Sequence, residues 1–319
     1  MSEVRAWPAS GVLEAAFAAL MAARNRKVMP NSLSARDPKL IAEVLPLLEA
    51  FYDHYFQCET EFLAEVPEGP VLVVGNHNGI TGTPDMFCHM TAFWRRYGAQ
   101  RKAYGLMHDV PFRVPWAGSW LNAAGAMAAN PDNGRRALRD GGALLVFPGG
   151  DHDACKPFTQ RHQIDFGKRR GYVRLALREG VPIVPVVSAG AHESLFVAFR
   201  GARIASALGL PKHFRSNVFP IGAALPWGLL FGIPLPHLPL PVKIHTRILP
   251  AVRPELPASA ADDETLVEAV HRDVVIRMQA GLDGIVKEGR FGLWPHGRGE
   301  NVARTLQSLL ISAKRMGGV

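Results

Sequence analysis

The chain has 319 residues, enough for one large α/β domain with helical additions at its ends. An apolar fraction of 48% supplies a substantial core and excludes disorder as a global description. The formal net charge of +8 suits a phosphate-bearing partner, whether nucleic acid, anionic lipid or a phosphorylated carrier or cofactor.

The N-terminus has acids early and Pro8 before its apolar run, and lacks the basic region and cleavage site of a secretory signal. We therefore expect the protein on the cytoplasmic side of the membrane. "GVLEAAFAALMAAR" (11–24) predicts a helix with Leu13, Phe17, Leu20 and Met21 on one stripe. It either packs on the domain, which is our reading, or lies on a membrane interface. A second helix starts after Asp37, an N-cap with Pro38 at the first helical position. Pro46 should kink or restart it. Cys58, Cys88 and Cys155 are odd in number and widely spaced, which argues against a disulfide framework or zinc ribbon and for a reducing compartment.

The middle of the chain alternates. "VLVVG" (71–75) and "ALLVF" (143–147) read as buried strands, with helices over 84–97, 130–142 and 167–180. "VPIVPVV" (181–187) is a strand that its prolines should confine to an edge or a bulge. A late strand at 242–249 and a helix at 262–286 follow. The pattern predicts an α/β fold, a mostly parallel central sheet flanked by helices, with an N-terminal helical addition. We assign residues 1–60 to N-terminal helices on the core or membrane surface, 61–290 to the α/β domain and 291–319 to a tail or helix. Residues 217–241 carry no charge beyond that of His237 and are broken by prolines. Such a stretch cannot close its backbone hydrogen bonds as a lipid-facing helix. It reads as an interfacial or tunnel-lining segment, with a buried loop as the alternative, and Trp227 suits a membrane–water boundary.

Three stretches can carry chemistry. In "VLVVGNHNGITGTPDMF" a strand delivers Asn76 and His77 to the carboxyl edge of a sheet, where α/β ligands bind. Asp85 follows at a helix start; a carboxylate beside an imidazole fixes its tautomer and frees the other nitrogen to accept a proton. In "ALLVFPGGDHDACKPF" a strand runs into Pro148, Gly149 and Gly150, whose backbone could approach an anionic ligand closely. Lys168, Arg169 and Arg170 precede a helix and could neutralise phosphate, or form a solvated face.

The order of these blocks, ending in Val-Pro-Ile-Val-Pro, resembles the glycerolipid acyltransferase superfamily, and within it the branch related to monoacylglycerol and diacylglycerol acyltransferases. The resemblance spans roughly residues 70–250. It implies that His77 is the general base and Asp85 its partner. It implies that Phe147, Pro148, Gly149 and Gly150 help bind the acceptor. It implies acyl transfer from acyl-CoA or acyl-carrier protein to a glycerolipid hydroxyl at a membrane surface, without cofactor or metal. Seven residues, Asn78 to Pro84, separate the pair, a longer gap than the family's usual one, so the loop must bulge. Gly149 stands where the commonest version has Glu, and "LNAAGAMAAN" lacks the Arg many relatives carry.

The rival readings are a non-catalytic membrane-associated lipid-binding protein, a thioesterase and a metal-dependent phosphoesterase. The last shares Gly-Asn-His but needs upstream Asp-x-His and Gly-Asp ligands that are missing. A serine hydrolase would need G-x-S-x-G, which does not occur. Basic and aromatic residues do not interleave as in a nucleic-acid module.

Overall fold

Val71 to Val74 are all buried, and this run sets the architecture. Alternate side chains of a strand face opposite ways, so a strand apolar at every position needs cover on both sides. The computed structural model supplies it; it describes residues 7–79, 83–114, 117–214, 216–224, 227–232 and 239–293. The strands are β1 (Glu59–Phe62), β2 (Val71–Gly75), β3 (Ala103–Met107), β4 (Ala126–Ala128), β5 (Ala143–Val146), β6 (Ile183–Ala189), β7 (Phe196–Phe199), β8 (Ile221–Ala224), β9 (Gly228–Phe231) and β10 (His245–Ile248). The α-helices are α1 (Ser10–Ala22), α2 (Pro38–Ala50), α3 (Pro84–Tyr97), α4 (Ala117–Ala123), α5 (Pro131–Arg139), α6 (Gly150–Ala154), α7 (Gly171–Glu179), α8 (Ala202–Ala207), α9 (Leu210–Phe214) and α10 (Glu264–Glu288).

Seven strands form the main sheet in the order β1-β10-β6-β2-β5-β3-β4. From β6 to β4 every pairing is parallel; β10 runs antiparallel to β6, and β1 parallel to β10. Leu72, Val74, Leu144, Ile183 and Val187 face α5, α7 and α10. Val71, Val73, Leu145, Val184 and Val186 face the other way, against Ile41 of α2 and Phe93 and Trp94 of α3. The expected α/β class with a mostly parallel sheet is the observed one.

Asp37 caps α2, its carboxylate accepting from the N–H groups of Lys39 and Leu40 at 2.9 and 3.0 Å. Helix α1 packs on α2, burying Leu13 and Ala16 against Leu47 and Ala50. Pro46 does not break α2. An interior proline costs about 3 kcal/mol, but Ile41, Val44, Leu47 and Ala50 are buried on both sides of it and hold the helix. The irregularity comes later, as a π-turn over Phe51–Tyr55. The boundary at residue 60 falls inside β1, and of the tail only residues 291–293 are described.

The other corrections have similar local causes. Strand β6 is neither an edge nor bulged; all its residues are buried, between β2 and β10. The carbonyl of Pro185 accepts from the Leu249 N–H at 2.9 Å, so its nitrogen also faces β10, one residue past the end of that strand. Its missing N–H therefore costs one bond where the regular β10 ladder stops, before pairing resumes with a one-residue shift at Ile183 and Val252. Residues 217–241 are not one irregular segment; within them β8 and β9 pair with each other, and β8 pairs with β7, in a separate antiparallel sheet. Residues 225–226 and 233–238 lie outside the described part. Cys58 and Cys88 are joined as a disulfide between the start of β1 and α3, with Cα atoms 6.3 Å apart, while Cys155 is free and buried. Wide spacing in sequence did not keep them apart in space. No described helix is long and apolar enough to cross a membrane.

Gly190 joins β6 to the turn that leads into β7. Its φ is +118°, and an added Cβ would fall 2.1 Å from the Lys243 carbonyl oxygen. Gly190→Ala should therefore destabilise the fold by more than about 1 kcal/mol, read as a lowered urea midpoint with an unchanged slope.

Candidate active site

Strands β2 and β5 are parallel neighbours, with Val74 in register with Val146. The residues after each strand thus emerge side by side at one carboxyl edge. Gly75 permits the approach: a Cβ there would sit 2.6 Å from the Phe147 ring. That ring stacks on His77, with centroids 4.6 Å apart and planes at 23°.

Two asparagines fix the loop to β6. Asn76 donates to the Ser188 carbonyl at 3.0 Å and accepts from the Ser188 N–H at 2.8 Å. Asn78 donates to the same carbonyl at 2.7 Å and accepts from the Ala191 N–H at 3.1 Å. Both are buried. Asn76, expected to touch substrate, is instead occupied in holding the loop. Asn78 and Ser188, which the sequence reading gave no site role, share the task.

His77 Nδ1 donates to Asp85 Oδ2 at 2.7 Å, and the same oxygen accepts from the Asn78 N–H at 2.9 Å. The long gap is thus no obstacle; the loop spans it, and residues 80–82 lie outside the described part. Thr83 enters α3 at φ +39°, a left-handed conformation unusual for a β-branched residue. Asp85 is 1% exposed and stands in the first turn of α3, where the helix dipole favours a carboxylate. Burial acts against a charged His77, but the charge and hydrogen bond of Asp85 and the charge of Asp153 together outweigh it and raise the imidazole above its ordinary value.

A second carboxylate grips the same residue. Asp153 Oδ2 accepts from the His77 backbone N–H at 2.6 Å. Asp153 is fully buried and ion-pairs with Lys156, also fully buried, whose Nζ donates to the Gln163 carbonyl at 2.7 Å. Burial pushes the Asp153 carboxyl up and Lys156 pulls it partly back. The reading from sequence missed this pair; its only signal was acids and a lysine inside an otherwise apolar block. Asp153 also explains Gly149. A Cβ on Gly149 would lie 2.2 Å from the Asp153 Cβ, so no larger residue fits there.

The remaining candidates fall in different places. The Gly150 N–H closes the turn onto the Phe147 carbonyl at 3.0 Å. Arg169 clamps that turn, donating to the Pro148 and Gly149 carbonyls at 3.3 and 2.5 Å and to Asp151 at 2.7 Å. Arg170 turns to Glu268 of α10, at 2.6 Å, and Lys168 is exposed. The basic trio is therefore not gathered as one phosphate site. His152, near the turn, pairs with Asp165 at 2.8 Å.

Against the Phe147 ring that stacks on His77 an apolar cavity of about 240 Å³ opens, lined by Phe147, Thr83, Met86, Met90, Trp94 and Trp120 among others. It is somewhat smaller than most ligand pockets, which run roughly 300–1,000 Å³. Elsewhere, Glu59, Glu61 and His245 bring ligand atoms within 4.8 Å of one another. Lys243 holds Glu59 at 3.0 Å, Arg247 holds Glu61 at 2.5 Å, and Arg290 holds both at 2.5 and 2.8 Å. With its charge already balanced, this cluster reads as an ion network tying β1 to β10 rather than a metal site.

The acyltransferase family model matches residues 57–189. Those residues form an acyltransferase-family domain. The matched span runs from β1 to the end of β6 and carries His77, Asp85, the Phe-Pro-Gly-Gly turn and Asp153. An uncharacterized protein of Mycobacterium tuberculosis is 30% identical over 61% of this chain and 56% of its own. Human 2-acylglycerol O-acyltransferase 3 is 30% identical over 33% and 35%, respectively. The mouse DGAT1/2-independent enzyme synthesizing storage lipids is 25% identical over 57% and 53%. The chain thus spans little more than half the length of the first of these relatives. The solved PlsC, a 1-acyl-sn-glycerophosphate acyltransferase of Thermotoga maritima, is similar at a TM-score of 0.45 and 16% identity, over 84% of this chain and 91% of that one.

This geometry makes two outcomes testable. In an NMR titration, His77 should protonate above the ordinary histidine value of about 6.5; Asp85→Asn should move that midpoint below the wild-type one, because the charge and hydrogen bond of Asp85 that raise it are then lost. Gly149→Glu should unfold the turn, seen as a loss of thermal stability, because the added Cβ meets the Asp153 Cβ and the Asp165 carbonyl.

Proposed function

We propose that this protein is an O-acyltransferase that moves a fatty acyl group from acyl-CoA or acyl-carrier protein to a hydroxyl of a glycerolipid, a lysophospholipid or an acylglycerol. The observation that carries the reading is the His77–Asp85 pair at the carboxyl edge of the sheet, its imidazole stacked on Phe147, a wall of an apolar cavity. Nδ1 is committed to Asp85, which leaves Nε2 to take the proton of the acceptor hydroxyl. The oxygen attacks the thioester carbonyl, the tetrahedral oxyanion collapses, and the thiolate leaves and takes the proton back from the imidazolium. No covalent acyl-enzyme is needed. The N–H groups of His77 and Asn78 are already taken by Asp153 and Asp85, so the oxyanion must find other donors.

The cavity suits the acyl chain, since its lining offers little beyond methyl, thioether and ring surface. A relative named for acylglycerol acylation supports that class of acceptor. The basic surface suits the phosphates of the carrier and an anionic bilayer. We propose that the protein works peripherally on the cytoplasmic side of a membrane, because acyl-CoA and acyl-carrier protein are met there; the cysteines no longer argue for that side.

The test is incubation of purified protein with labelled acyl-CoA and a panel of lysophospholipids and acylglycerols, followed by lipid analysis. An acylated acceptor is expected. His77→Ala should lower turnover by about 10² to 10⁴ while leaving association with lipid intact. In the wild type, kcat/KM should fall as pH drops through the raised His77 value, since only the neutral imidazole can accept the proton. Release of free fatty acid alone would make the protein a thioesterase and overturn the reading.

A further inference from the structure

Among the described residues, the small sheet leaves one face uncovered. Phe196 lies opposite Ala223, and Ala223 opposite Leu229; Phe199 lies opposite Ile221, and Ile221 opposite Phe231. Directly opposed residues share a face, so these are two apolar rows side by side. The reverse face packs inward through Leu195, Val197, Ala224 and Leu230. On the outer face Phe196, Phe199, Leu229 and Phe231 are 51%, 50%, 75% and 68% exposed. A continuous apolar patch of this kind on a soluble surface marks an interaction site.

Charge tells what the face meets. Between Glu193 and Glu255 the chain contains no acidic residue, while Arg203 and Lys212, on the adjoining helices α8 and α9, are exposed. A second copy of this chain meeting this face across a two-fold axis would bring like charges together. An anionic lipid surface offers apolar depth for the aromatic rows and negative charge for the cations around them.

We propose that the β7–β8–β9 sheet is the face by which this protein docks on an anionic bilayer. The sheet leans on the two loops that build the candidate active site. Ala191, just before it, is bonded to Asn78, and Arg200 at its edge donates to the His152 carbonyl at 3.0 Å and to Asp165 at 3.0 Å. Asn217 and Ser216, leading into β8, donate to Asp151 at 3.1 and 3.2 Å. Docking here turns the His77 edge towards the source of a lipid substrate; the use of the surface, though not its lipid affinity, rests on the acyltransferase reading.

The experiment is co-sedimentation of the full chain with vesicles of phosphatidylcholine, with and without phosphatidylglycerol. The wild type should pellet with the anionic vesicles, and added salt should weaken the binding. Leu229→Ser/Phe231→Ser, checked by circular dichroism for an unchanged fold, should bind at least about tenfold more weakly, since two apolar side chains lose their burial in the bilayer. Acyl transfer between a water-soluble short-chain thioester and a monomeric acceptor should be the same in both proteins. Equal vesicle binding by the two would overturn the proposal. So would a wild-type dimer in gel filtration that the substitution converts to monomer, since a second copy would then cover the face. If no acceptor is acylated by either protein but the difference in vesicle binding stands, the acyltransferase reading fails and the docking face survives.

Discussion

A buried carboxylate has to find hydrogen-bond donors, and in this protein two of them find the same residue. Asp85 takes the imidazole of His77 and the next backbone N–H; Asp153 takes the backbone N–H of His77 itself. One carboxylate comes from the helix after β2 and the other from the turn after β5. The parallel pairing of those two strands is what lets them meet around one side chain. Phe147 closes the remaining side by stacking on the ring. His77 is thus held by backbone, ring face and ring nitrogen, and one nitrogen is left for chemistry. Such pre-organisation is what a proton acceptor needs, because a wandering base loses the geometry on which its rate contribution depends.

This arrangement is costly to bury, and the surroundings show how the cost is met. Asp153 would be an isolated charge without Lys156, and Lys156 without Asp153 and the Gln163 carbonyl. Removing one member of such a pair leaves an uncompensated charge in the interior, which is far worse than never having had the pair. Gly149 is part of the same solution. Its missing side chain is the space that Asp153 fills, so the departure from the family's usual glutamate and the nearby aspartate are one steric fact. Arg169, expected at a phosphate, works instead as a brace on this turn. Asn76 and Asn78 brace the neighbouring loop in the same way.

The three-stranded sheet belongs to the same edge of the molecule. It connects to β6 through Gly190 and rests on both loops of the site. The acyltransferase that we propose would have to bring a dissolved thioester and a membrane-bound alcohol to one base. A rigid sheet edge with an apolar cavity beside it, and an apolar sheet face with exposed Arg203 and Lys212 on the adjoining helices, would answer that requirement.

Local pattern made much of this legible. Continuous apolar runs at 71–75 and 143–147 identified buried parallel strands, Asp37 and Pro38 marked a helix start, and the order of motifs brought His77 and Asp85 forward. Where the signal was a propensity rule, tertiary packing overrode it: Pro185 sits in the middle of the sheet because it spends its missing bond at a ladder's end, and Pro46 stays helical because its neighbours are buried. The short strands β1, β3 and β4 had no clear periodicity to find. The sequence by itself determined the fold class, the acid-free basic stretch from 194 to 254 and the identity of the central histidine. Only the tertiary structure decided that Asp85 reaches it across a long loop, that Asp153 and Lys156 stand behind it, that Cys58 meets Cys88, and that the apolar residues near 196 and 229 line up as one face. Each of those depends on strand register and loop closure, which bring distant residues within a few ångströms and leave no mark in local spacing.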